Sequence, residues 1–84
     1  MDKKMMAMGT TMLVLSLLEE DLYGYQIIRL LEERSNRVFS LKEGTLYPVL
    51  HGLEEQDAVE SYEKLAESGR KRKYYRFAKQ HFRN

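Results

Sequence analysis

Apolar residues along the chain fall first into three helical stretches and then into two with alternating character. Between about Lys3 and Glu19 lie Met5, Met6, Met8, Met12, Leu13, Val14, Leu15, Leu17 and Leu18. They cover too much of a helical circumference for a helix with one solvated face. This pattern predicts a helix that is either buried on two sides or faces both its own domain and a partner. Glu20-Asp21-Leu22-Tyr23-Gly24 reads as a turn. Tyr25 to Ser35 predicts a second helix, with Ile27, Ile28, Leu30 and Leu31 on one side and Arg29, Glu32 and Glu33 on the other. Ser40 and Glu43 have the spacing of a capping box, which predicts a third helix from near Ser40 to about Gln56.

Pro48 falls inside that third helix, where its ring crowds the carbonyl four residues back. That residue is Gly44, so the cost is small if the first regular turn begins there. At about 100° per residue, Leu46, Leu50 and Leu53 converge on one side with Val49 near its edge. Gly44, Tyr47, Pro48 and His51 fall opposite. After Gln56-Asp57 the period changes. Ala58 to Leu65, with Val59 and Tyr62, and Lys73 to Ala78, with Tyr74, Tyr75 and Phe77, read as strands. The basic run through Gly69 between them, Ala66 to Arg72, reads as a hairpin tip. Three helices followed by a two-stranded antiparallel hairpin make a mainly α fold with a small β-wing, the layout of a winged helix-turn-helix.

The 84 residues suffice for one domain, expected over 1–84. A chain of this size buries roughly 60–65% of its unfolded surface, so help from a second chain would be unsurprising. With no cysteine there is neither a disulfide nor a thiolate metal site, which fits a cytoplasmic location. Met5 to Leu18, following Lys3-Lys4, superficially resembles a secretory signal. A span needs about 20 apolar residues, and Glu19-Glu20-Asp21 ends this run early.

Net charge is only +1, but its distribution is uneven. Residues 1–63 carry six Lys/Arg against twelve Asp/Glu, and residues 64–84 carry eight against one. A basic block confined to the last quarter of the chain predicts a polyanion-binding surface. Catalytic chemistry finds little footing. The two histidines are 30 residues apart, and there is no Gly-rich phosphate loop or His-Glu-x-x-His string. No enzyme activity, metal or cofactor is expected.

Leu13–Leu18 with Leu22-Tyr23-Gly24-Tyr25-Gln26-Ile27, then Phe39–Leu50 with Gly44-Thr45-Leu46-Tyr47-Pro48 and ending in Leu53-Glu54, make two distinctive segments. With a third, Gly69-Arg70-Lys71-Arg72-Lys73-Tyr74-Tyr75-Arg76, they resemble the PadR-like transcriptional regulators. The resemblance covers about residues 8–78. Family members often have Ser-Pro or Asn-Pro where this chain has Lys42-Glu43. They usually continue into a C-terminal helix that completes the dimer, and Lys79 to Asn84 are too short for one.

The resemblance implies a repressor that binds double-stranded DNA as a homodimer on a two-fold operator. It also implies that a small aromatic or hydrophobic effector tunes the affinity. With the helical wheel, it points to Lys42, Gly44, Thr45, Tyr47, Pro48 and His51 as the face that enters the major groove. Arg70, Lys71, Arg72 and Lys73 would place cations on phosphates or in the minor groove. Tyr23 and Gly24 would offer a hydroxyl and backbone N–H groups to the DNA backbone, while packing is the other role open to Tyr23. Met5, Met8 and Met12 are the candidate dimer contacts. The alternative is a protein–protein interaction module on the same scaffold, which suits the methionine-rich first helix and explains the basic block poorly.

Overall fold

The computed structural model describes residues 3–78, with side chains over 9–78. In order it forms α1 (Lys3–Leu17), β1 (Leu22–Tyr23), α2 (Gly24–Arg34), α3 (Glu43–Glu55), β2 (Val59–Leu65) and β3 (Lys71–Phe77). The strands make one antiparallel sheet in the order β1-β3-β2. Val14 and Leu17 of α1, with Leu18 just after it, meet Ile27 and Leu31 of α2, Leu46, Leu50 and Leu53 of α3, and Leu22, Val59 and Tyr75 of the sheet. These residues are the core. The leucine stripe expected on α3 is the buried one, with Leu46 and Leu50 fully enclosed. Truncating either to Ala would cost about 2–5 kcal/mol. Among the described side chains of α1, Val14 and Leu17 are buried within the chain, while Met12 remains 66% exposed.

Helix ends follow local chemistry. The Gln26 carboxamide accepts the Tyr23 backbone N–H at 3.1 Å, satisfying a donor ahead of α2. At the far end, Asn36 adopts φ 52°, and the Arg37 N–H reaches the Glu32 carbonyl at 2.7 Å. α3 ends in the same way. Asp57 adopts φ 61°, and the Ala58 and Asp57 N–H groups bond to the carbonyls of Leu53 and Glu54 at 2.9 and 3.0 Å. This is the Schellman arrangement, with aspartate where glycine is usual.

Four sequence expectations are corrected. Leu22-Tyr23 is not part of a turn but a two-residue strand, paired with Tyr75 and Tyr74. Burial of Leu22 draws it onto the sheet. The Ser40–Glu43 capping box does not form, because the Ser40 hydroxyl bonds to Glu32 Oε2 at 3.1 Å. α3 starts instead at Glu43, with the Lys42 carbonyl accepting the Thr45 and Leu46 N–H groups, both at 2.9 Å. The second strand of the wing begins at Lys71 rather than Lys73. Gly69, at φ 88°, lets the turn close early, and the Ala66 N–H bonds to the Arg70 carbonyl at 2.8 Å.

Candidate nucleic-acid interface

Because Leu46, Leu50 and Leu53 fix one side of α3 in the core, the residues opposite must face outward. Lys42, Gly44, Thr45, Pro48 and His51 are all exposed. Open space surrounds the Gly44 Cα, so a ligand could approach the backbone closely there. Pro48 cannot donate to the Gly44 carbonyl, but Gly44 is accessible to water, which can take the place of the missing donor.

Tyr47 departs from the outward face. It is half-buried and packs against the core. Its ring occupies the space that a side chain at Gly24 would fill: a Cβ built there would lie 2.8 Å from Tyr47 Cζ and 3.2 Å from Cε1. The wheel assigned Tyr47 to solvent because it sees only α3, whereas the slot is made by a glycine on α2. From this position Tyr47 lies beside the N-terminus of α2, and its ring centre is 6.5 Å from that of His51. The structure therefore brings Gly24, Tyr47 and His51 together, while Tyr23, one residue before Gly24, sets its ring against Tyr74 of the sheet.

The basic run does not form a single tip. Arg70 is exposed in the loop, while Lys71, Arg72 and Lys73 belong to β3 and alternate between its faces. Lys71 lies 4.0 Å from Glu63. Lys73 Nζ is 5.7 Å from the centre of the Tyr75 ring. Arg72 is half-buried on the other face, its Cζ 5.2 Å from the centre of the Tyr23 ring.

That face also carries residues that were not expected to form part of a site. Tyr74 makes an edge contact with Tyr23 at 5.3 Å and stacks on Tyr62 at 5.7 Å. Lys64 Nζ lies 4.6 Å from the Tyr74 ring centre. Arg76 bonds to Glu60 through Nε at 2.7 Å and Nη2 at 2.6 Å, and reaches Asp21 at 4.0 Å. Tyr62 donates its hydroxyl proton to Asp21, which holds the phenol pKa above its ordinary value. Strand register would have placed Lys64 opposite Arg72, had the start of β3 been known.

The side chains of Met5 and Met8 lie outside the described residues; that of Met12 is exposed. Among the described residues no group of three His, Asp or Glu could hold a metal ion, and no helix is long and apolar enough to cross a membrane.

The sequence matches the model of the transcriptional regulator PadR-like family over residues 14–80. A protein of Lysinibacillus sphaericus described as uncharacterized is 45% identical over 60 residues, which are 71% of this chain and 55% of that protein. The chain thus spans about half the length of the curated relative it matches. Among solved structures, a transcriptional regulator from Clostridium thermocellum superposes with a TM-score of 0.78 at 30% identity, over 93% of this chain and 74% of the other. A PadR family transcription regulator from Clostridium difficile does so with a TM-score of 0.67 at 37% identity, over 81% and 70%.

Proposed function

Since this chain belongs to the transcriptional regulator PadR-like family, we propose that it binds duplex DNA sequence-specifically and acts as a repressor. In this account residues 1–84 work as one winged helix-turn-helix domain in the cytoplasm. The observation that carries the reading is the exposed face of α3, where Lys42, Gly44, Thr45, Pro48 and His51 stand clear of the core. A helix of this kind fits a major groove about 12 Å wide, its N-terminal residues nearest the base edges. Lys42, Thr45 and His51 supply donors and acceptors, while Gly44 and Pro48 allow close approach. Tyr47 contributes from the α2 side, next to Tyr23 and Gly24, where a phosphate would meet backbone N–H groups. Arg70, Lys71, Arg72 and Lys73 supply sequence-independent attraction to the phosphates.

Two copies joined through α1 would present two such faces to a two-fold operator. The 66% exposure of Met12 supports that contact, which would continue over Met5 and Met8. A small aromatic or hydrophobic effector near the dimer contact would then tune affinity.

The test is retardation of labelled duplex by the purified chain as salt rises from about 50 to 200 mM, over which affinity should fall steeply. No retardation of any duplex at low salt by folded protein would refute the reading.

A further inference from the structure

Lys64 and Arg72 stand directly opposite one another in the β2–β3 ladder, on the face of the sheet that carries Tyr62 and Tyr74. Like charges facing each other across a strand pair repel and destabilise it. Neither cation forms an ion pair among the described residues. Glu60, the acid on the same face, and the adjoining Asp21 are engaged by Arg76. Glu63 lies on the opposite face with Lys71.

Aromatic rings hold the two cations instead. Lys64 lies over Tyr74 and Arg72 over Tyr23, and those two rings touch edge to face. Cations over tyrosine rings are attracted by the ring quadrupole, which fixes where the charges stand without neutralising them. The Arg72 Nε is buried there with no hydrogen-bond acceptor. A buried donor left unmet costs free energy. The buried Nε is closed to an outside partner, but two unneutralised cations on one face attract an anion from outside the chain.

We propose that Lys64 and Arg72 form a phosphate-binding pair for the DNA backbone on the flank of the wing, with Tyr23 and Tyr74 as positioning residues. The inference rests on the proposed DNA binding and extends it, since Lys64 lies outside the basic run and the grip reaches from the loop tip onto the outer face of the sheet. The pair is adjacent to Tyr23, which precedes the first residue of α2, so one phosphate strand could meet both elements.

Lys64→Gln, Arg72→Gln, the double variant, and Tyr74→Phe against Tyr74→Leu test this. Without DNA, Lys64→Gln should raise the thermal midpoint at low salt by relieving repulsion, and the gain should vanish at high salt. On duplex DNA each Gln variant should flatten the slope of log affinity against log salt by about one, and the double variant by about two. The loss should be equal for every duplex sequence. Tyr74→Phe keeps the ring and should bind more tightly than Tyr74→Leu at matched folded fraction. Unchanged slopes in both Gln variants, while the unmodified chain binds DNA, would overturn the pair.

If the unmodified chain bound no duplex, the proposed function would fall, and pyrophosphate would still decide the site. It should raise the thermal midpoint of the unmodified chain more than that of the double variant. Equal gains would overturn the inference whatever DNA does.

Discussion

Tyr47 of α3 lies against the bare Cα of Gly24 on α2, so closely that a methyl group there would sit 2.8 Å from the ring carbon Cζ. The contact fixes the spacing of the two helices that present the candidate interface. It also makes Gly24 a packing requirement, because the space beside it is already filled.

Gly24→Ala should therefore destabilise the fold by about 1–3 kcal/mol through overpacking. Tyr47→Ala should be destabilising by itself, and the double variant should recover part of the sum. Denaturant unfolding of the four proteins would show a coupling of about 0.5–3 kcal/mol. Strict additivity would mean that the two residues do not meet.

Asp57, at φ 61°, holds the position after α3 where glycine is usual. Asp57→Gly should stabilise the protein by about 0.5–1 kcal/mol by removing left-handed backbone strain. Asp57→Val should destabilise it, since a β-branched residue tolerates that region worst. Thermal melts suffice, and a loss of stability in the glycine variant would contradict the strain assignment.

Two tyrosines resist ionisation in the fold. The hydrogen bond to Asp21 raises the Tyr62 pKa, and burial raises that of Tyr75. In both cases the fold favours the neutral phenol, so the stabilisation is complete below the unfolded pKa of about 10. It should be lost as pH climbs from there through the raised folded values. Denaturant midpoints should fall above that pH, and Tyr62→Phe should lessen the fall. A flat profile, with every tyrosine ionising together, would oppose it.

The exposed Met12 carries the dimer proposal into a simple variant. Met12→Lys should lower the association constant measured by sedimentation while leaving the circular dichroism of the monomer intact. An unmodified chain that stays monomeric at high concentration would contradict association through α1.

Much of this architecture is legible in the residue pattern, and what is not has identifiable causes. Leu46, Leu50 and Leu53 declare the buried side of α3 because helical spacing alone aligns them. The strand that begins at Val59 follows from alternation and β-favouring side chains. β1 escapes because two residues have no period, and its partners, Tyr74 and Tyr75, lie far along the chain. Tyr47 leaves the exposed face and becomes half-buried because Gly24, on another helix, makes room for it. The split of Arg70–Lys73 between loop and two sheet faces depends on where Gly69 closes the turn, and a count of charges does not reveal that. Ser40 illustrates a choice of partner: its hydroxyl suits the start of α3, but Glu32 takes it.

The central claim is that the exposed face of α3 reads sequence while the wing holds the backbone. It is tested most directly by measuring how strongly Thr45→Ala, His51→Ala and Arg70→Gln proteins prefer a duplex selected from a random pool over random duplex. Each α3 variant should lose about 1–3 kcal/mol of that preference. Arg70→Gln should weaken both duplexes alike and flatten the salt slope by about one unit. Preference retained in both α3 variants but lost in Arg70→Gln would show that α3 is not the reader.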